Sequence, residues 1–242
     1  MAPKDKQDSS DAKPVSKRVW VRKEGFADIA KRKNPERVLQ RKYRQKLAHG
    51  FIAGLKAVLG PEHVCVDCGA NIGEITGALA PTGCQIHAFE PDPYSFGRLQ
   101  ENVGHYDNVH LYNQAVGVGK GSIKIYRKKG FEKDKEWNSL TTTTIVDDAQ
   151  KENMEAVEVE QIDLEEFLLN ILKEQEITFL KMDIEGAELA ILNRLVQTDI
   201  LTRIRATAVE IHPWLFKGKP GFRELKLIAK HRPEFNLNLD WY

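Results

Sequence analysis

The 242-residue sequence predicts an α/β protein, a mostly parallel sheet with helices on both faces, preceded by a basic amphipathic helix. Three observations carry this. From His63 to Pro213 short apolar runs alternate with amphipathic ones as strand, helix, strand, helix, strand, and short connections between such elements specify βαβ units with right-handed crossovers. A hydrophobic content of 41% and a mean hydropathy of −0.45 suffice for one sizeable core but hardly two. From Pro35 to Leu59 the apolar residues Val38, Leu39, Tyr43, Leu47, Phe51, Leu55 and Val58 recur at helical spacings, with Arg37, Arg41, Lys42, Arg44 and Lys46 on the other faces.

Residues 1–18 are polar, charged and without periodicity, so they are expected to stay disordered, and residues 1–34 as a whole read as a basic arm. Residues 35–242 read as a single domain that begins with the helix over 35–60. The net charge of +1 conceals an asymmetry. Residues 1–50 hold 15 Lys and Arg against 6 Asp and Glu, a net of +9, and the remainder holds 21 against 29, a net of −8. Two functional readings follow for the basic segment: an anionic acceptor or surface (RNA, phosphoglycan or lipid headgroups), or the solvated face of a capping helix. The amino end lacks the apolar stretch of a signal peptide, and the run Phe51–Gly60 is too short to span a bilayer, so a cytoplasmic protein is expected. Cys65, Cys68 and Cys84 are too few for a disulfide framework, and the C-x-x-C pair has no partner ligands for zinc.

The elements then follow in order. "HVCVDCG" is a buried strand, Ile72 to Leu79 a helix, "QIHAFEP" a second strand stopped by Pro91, "DPYSFGRLQENVGH" a helix, and "NVHLYNQAVG" a third strand. "GSIKIYRKK" alternates Ile123 and Ile125 with charge, as a half-exposed strand does. Residues 128–153 form a polar excursion of a length typical of lids and binding loops, in which Trp137, Asn138, Ser139 and Thr141 to Thr144 either line an acceptor pocket or face solvent. "VEVEQID" and "LEEFLLNILKEQ" give a strand and a helix, "ITFLKMDIEGAE" a buried strand entering a helix over 186–196, and "RATAVEIHP" a last clear buried strand.

In an open parallel sheet, ligands sit beyond the carboxyl ends of the strands where the strand order reverses. The first turn, Asp67-Cys68-Gly69-Ala70-Asn71-Ile72-Gly73, lies there. Its glycines let a backbone come close to a ligand, and the helix start offers N–H donors to a carboxylate. Glu90, 21 residues beyond Gly69 and followed by Pro91, stands at the offset of an acid that accepts two ribose hydroxyls. The spacing G-x-x-x-G is not the one that cradles a pyrophosphate. S-adenosyl-L-methionine fits: a carboxylate for the helix start, an ammonium for Asp67, a ribose for Glu90.

The segments "VDCGANIGEIT", "HAFEPDP", "NQAVGVGKG", "VEVEQIDLEEFL" and "LKMDIEGAELAIL" resemble, in order and spacing, the FkbM-type class I S-adenosylmethionine-dependent methyltransferases over about residues 63–212. The resemblance implies a Rossmann-like class I methyltransferase sheet. It implies that Asp67, Gly69, Ala70, Asn71 and Gly73 surround the methionine part of the cofactor, that Glu90 and Pro91 hold the ribose, and that Gln114 and Ala115 lie near the adenine. It also implies O-methylation of a sugar, glycan or natural-product hydroxyl. The chain departs from the pattern in its basic amino end and in a short carboxyl end, where the segment around Ile123 or "VEVEQID" is a candidate to complete the sheet edge.

Methyl transfer to an alcohol needs alignment and a proton acceptor. Asp183 and Glu185, two apart at a strand end, point to one side if the chain stays extended, and Asp183 also borders the cofactor; the structural alternative is that both acids cap the following helix. His212, with an ordinary pKa of ~6.5, and Glu210 two residues before it stand at the end of the next strand. Asp183 or His212 is the candidate base, with Glu185 and Glu210 as orienting or substrate-binding acids. No metal is expected, because the sequence shows too few clustered oxygen ligands for a hard cation. A short-chain dehydrogenase is excluded by the absence of Tyr-x-x-x-Lys. An amino-directed nucleic-acid enzyme is disfavoured because "MDIEG" stands where N/D-P-P-Y/F/W would. An RNA ribose methyltransferase using the basic arm, and a non-catalytic cofactor-binding scaffold, stay open.

Overall fold

In the computed structural model, residues 35–130, 142–143, 152–212, 221–239 and 241 are described. The expectations for the arm over 1–34 and for Trp137, Asn138, Ser139, Thr141 and Thr144 lie outside these residues. The chain divides into two units, Met1–Gln40 and Arg41–Tyr242. The first contributes residues 35–40, all helical, to the description.

The elements are α1 (Pro35–Val58), β1 (Val64–Cys68), α2 (Glu74–Leu79), β2 (Gln85–Phe89), α3 (Pro93–Val103), β3 (Val109–Tyr112), β4 (Ala115–Gly117), β5 (Gly121–Lys128), β6 (Met154–Asp163), α4 (Leu164–Glu174), β7 (Phe179–Met182), α5 (Glu188–Gln197), β8 (Thr207–Val209), α6 (Gly221–His231) and β9 (Leu237–Asn238). Among the described residues, one sheet runs β3-β2-β1-β7-β8-β9 with every neighbouring pair parallel. The order reverses between β1 and β7, so their carboxyl ends flank the crevice where a ligand is expected.

Side-chain alternation along the strands divides the core into two layers. Cys65, Ile86, Phe179 and Ala208 face Ala48, Ile52 and Leu55 of α1, Leu79 of α2 and Trp241. Val66, Cys68, Leu180, Met182 and Val209 face Leu168 and Leu172 of α4, Leu192 and Leu195 of α5 and Leu225 of α6. Helices therefore cover both faces, as a parallel sheet requires. Asp92 starts α3 by accepting the N–H groups of Tyr94 and Ser95, which leaves Pro93 at the position where its missing donor costs nothing.

Two expectations change. "NVHLYNQAVG" is not one strand: β3 ends at Tyr112, and the chain moves at Asn113 into a second, three-stranded sheet ordered β4-β6-β5. The segments around Ile123 and "VEVEQID" pair antiparallel within that sheet and do not complete the main one. The main edge is closed by β9, parallel to β8 through Thr207 and Leu237, and the chain continues to Trp241, buried against Phe51 and Phe179. The C-x-x-C pair is divided between the layers, with Cys65 beside Cys84 (Sγ to Sγ 3.8 Å) and Cys68 on the opposite face; all three are buried and free. Among the described residues no helix is long and apolar enough to cross a membrane.

Candidate active site

The turn after β1 is built by packing as much as by any ligand. Gly69 (φ +78°), Asn71 (φ +51°) and Gly73 (φ +91°) all occupy left-handed backbone, where a Cβ is strained. A Cβ on Gly69 would stand 1.8 Å from the Asp183 carbonyl, and one on Gly73 would stand 2.8 Å from Leu99 of α3. The small residues thus let the end of β7 and helix α3 close on the turn. The Gly69 and Ala70 N–H groups both donate to the Phe89 carbonyl, tying the turn to the end of β2.

Asp67, expected to receive an ammonium group, is buried and already engaged. Its Oδ2 accepts the Thr76 hydroxyl at 2.7 Å, and its Oδ1 lies 3.3 Å from Lys181 Nζ. Lys181 is buried in β7, donates to the Gly69 carbonyl (2.7 Å) and lies 3.7 Å from Asp183 Oδ2. Burial opposes its charge, but the Asp67 and Asp183 carboxylates outweigh burial and hold its pKa above the usual lysine value. The sequence reading missed Lys181, whose signal was a lone cation inside the apolar run "FLKM".

Glu90 stands at the carboxyl end of β2. Its Oε2 accepts the Asn71 N–H (2.9 Å) and its Oε1 the Asp92 N–H (2.8 Å). Each oxygen keeps lone-pair capacity for a further donor, which is what a ribose diol needs. Burial raises its pKa to about 7, against the opposing pull of the Asp92 and Asn71 N–H groups. The ionised form is the better acceptor, so affinity for a ribose-bearing cofactor is expected to rise with pH through about 7. Titration calorimetry with S-adenosylhomocysteine at pH 6 and pH 8 tests this, and an unchanged affinity would remove Glu90 from the ribose site. Gln114 lies between β3 and β4 and donates to Glu160 (3.0 Å), and Ala115 is buried in the second sheet, so neither stands at the end of the third strand as expected.

Beyond β7 and β8 the acids gather around one imidazole. The chain is not extended at Glu185 (φ +49°), yet that turn brings Glu185 Oε1 to 3.3 Å and Asp183 Oδ1 to 3.7 Å from His212 Nε2, with Glu210 Oε1 at 4.0 Å. His212 Nδ1 meets Glu188 Oε1 at 2.7 Å. Glu188, wholly buried in the first turn of α5, also accepts the N–H groups of Ile184 (3.3 Å) and Gly186 (2.9 Å). The sequence left open that Asp183 and Glu185 cap the following helix; no side chain caps that helix, and Glu188, which the sequence reading missed, instead ties down the turn that leads into it. Thr143, on the polar excursion, pairs its backbone with Tyr126 and donates its hydroxyl to the Glu185 carbonyl (2.8 Å). Its neighbour Thr142 approaches Asp92 at 3.5 Å, and Arg127 of β5 also pairs with Asp92.

The electrostatics overturn one premise. Burial works against a charged His212, but Glu185 and Glu188 outweigh burial and raise its pKa to about 11, so the imidazole is a cation near neutrality. Burial and the charge of Asp183 raise Glu210 to about 8, and burial raises Glu185 as well. Asp183, Glu185 and His212 each present one ligand atom within 4.8 Å of the others, a closer donor set than the sequence promised.

Residues 67–232 match the family model described as the methyltransferase FkbM domain. The chain is 33% identical over 81 residues to the 2-O-methyltransferase NoeI of Sinorhizobium fredii, covering 32% of this chain and 33% of that protein. It is 38% identical over 73 residues to the ribosomal RNA small subunit methyltransferase A of Thermotoga maritima, covering 28% of this chain and 26% of that protein. The chain thus spans about a quarter to a third of the length of these curated relatives. Among solved structures, the N-terminal domain of human METTL16 in complex with SAH aligns at 16% identity and a TM-score of 0.38, covering 81% of this chain and 62% of that one.

Proposed function

The chain belongs to the FkbM methyltransferase domain family, and from that membership we propose that it is an S-adenosylmethionine-dependent O-methyltransferase acting on a hydroxyl of a sugar, glycan or related natural product. The observation that carries the reading is the placement, beyond the carboxyl ends of interior strands of one parallel sheet, of Glu90 after β2 and of Asp183, Glu185, Glu210 and His212 clustered after β7 and β8. The likeness to a protein named a 2-O-methyltransferase supports transfer to oxygen.

The residues fit the cofactor in two respects: Glu90 retains acceptor capacity for a ribose diol, and the acids beyond β7 and β8 favour a cation beside them. The cofactor, when bound, supplies an electrophilic methyl group on a sulfonium. Asp183 is the base that takes the acceptor's hydroxyl proton, since its oxygens lie at the mouth of the crevice between β1 and β7. His212, holding its own proton, is a poor base at neutral pH and instead orders the surrounding carboxylates. Glu188 fixes the ring by its contact with Nδ1. Asp67 and Lys181 sit one layer behind and hold the Gly69 backbone. The proposed compartment is the cytoplasm, one in which the three buried free thiols would stay reduced.

A second reading, ribose methylation of RNA, is favoured by the net +9 of residues 1–50 and by a relative named for ribosomal RNA. Incubating the full chain with methyl-labelled S-adenosylmethionine and separated polysaccharide, RNA and small-molecule fractions distinguishes the readings. Label is expected in the polysaccharide or small-molecule fraction. Label confined to RNA and lost without residues 1–34 establishes the second reading, and cofactor binding without transfer to any fraction indicates a scaffold.

A further inference from the structure

We propose that the solvent-facing side of α1 is a docking surface for an anionic lipid bilayer. The helix has more apolar surface than the domain covers. Ala48, Ile52 and Leu55 are buried against the sheet, but Tyr43 is 64%, Leu47 55%, Val58 66% and Phe51 37% exposed. At 3.6 residues per turn these four side chains fall within an arc of about 80°. Gly50 and Gly54 lie along the same stripe, and a Cβ built on either meets nothing within 4 Å, so the stripe is open along its length. Isolated exposed apolar residues are ordinary, whereas four in register along about four turns form a continuous face.

The charges beside that face select the occupant. Between Arg41 and Val58 there are five Lys and Arg and no Asp or Glu. Lys46 and Lys42 border the apolar arc on one side and Arg44 on the other, the positions from which long cationic side chains reach headgroups while an apolar strip enters the acyl boundary. A second copy of the chain would set the three cations that border the stripe against three more, which opposes self-pairing. RNA would satisfy the cations but would leave Tyr43, Leu47 and Val58 facing water. An anionic bilayer takes both: headgroups for the cations and hydrocarbon for the stripe. The surface lies on α1, away from the acids beyond β7 and β8, and the inference does not depend on which acceptor is methylated.

The test is co-sedimentation of the full chain with phosphatidylcholine vesicles, with and without a quarter of phosphatidylserine, at low and high salt. Binding is expected to be about tenfold or more tighter to the anionic vesicles and to weaken with salt. Leu47→Glu together with Tyr43→Glu should abolish it without moving the unfolding midpoint, because both side chains are exposed. Lys42→Glu with Lys46→Glu should remove the preference for phosphatidylserine. Absence of binding, equal binding to neutral vesicles, or binding that survives Leu47→Glu with Tyr43→Glu each overturns the proposal. A dimer in sedimentation velocity that those substitutions dissolve identifies a second copy as the occupant and overturns it as well.

Discussion

Replacing Asp183 with asparagine is expected to lower kcat by about 10²–10⁴-fold, the range associated with removing a general base. Three carboxylates reach toward Nε2 of His212, so the choice among them needs an argument. Burial raises the pKa of Glu210 to about 8, and a carboxyl group that keeps its proton cannot take another, while Glu185 is the acid held nearest to His212 Nε2, at 3.3 Å. Asp183 follows β7 directly at the crevice between β1 and β7, with Lys181 Nζ at 3.7 Å from one oxygen and His212 Nε2 at 3.7 Å from the other. Asparagine preserves shape while removing the charge, so single-turnover transfer should fall far more than cofactor affinity, measured separately by calorimetry. A variant within about threefold of the parent would remove Asp183 from the base role. The pH–rate profile gives a second check. With His212 protonated up to about pH 11, no imidazole limb near 6.5 is expected. Such a limb, lost in His212→Asn, would return the role to the histidine.

What could be read from the sequence was local, and what escaped it was long-range. β1, β2, β7 and β8 are apolar runs of three to five residues bounded by turn residues, and α3 carries its own start signal in Asp92-Pro93. The break between β3 and β4 was hidden because "NVHLYNQAVG" keeps an apolar pattern through it. What ends β3 is Asn113, whose amide donates to the carbonyls of Glu90 and Pro91, more than 20 residues away in sequence. β9 has two residues and no pattern to recognise. The site divides in the same way. Asp183, Glu185, Glu210 and His212 were found because each follows a legible strand. Lys181 was missed because its partner Asp67 is on another strand, and Glu188 because nothing in "GAELAIL" shows that a histidine 24 residues later reaches it. The glycines were noticed for the right conformational reason, but the neighbour closest to Gly69 is the Asp183 carbonyl of the protein itself.

Glu188→Ala is expected to cost about 3–5 kcal/mol of folding stability, the usual penalty for removing one partner of a buried ion pair. Glu188 Oε1 serves the Ile184 N–H and His212 Nδ1, and Oε2 serves the Gly186 N–H, so truncation leaves three donors facing a void. Those donors also set the turn in which Glu185 takes a left-handed conformation, so the acid cluster should loosen with it. For a domain of this size the melting temperature should fall by about 6–20 °C. Glu188→Gln separates charge from shape: its single carbonyl oxygen cannot accept from both Gly186 and His212, and its amide presents a donor to a donor. The pH dependence carries the sign of the pair. The folded pKa of His212, about 11, lies above the unfolded value of ~6.5, so its contribution is fully present below about pH 6.5 and is lost as pH rises through about 11. Urea unfolding of the parent should therefore show stability declining across that alkaline window, and Glu188→Gln should decline less steeply because half of the pair's charge is already gone. An alanine variant within about 1 kcal/mol of the parent, with the same alkaline slope, would mean that the acids beyond β7 and β8 hold His212 without Glu188.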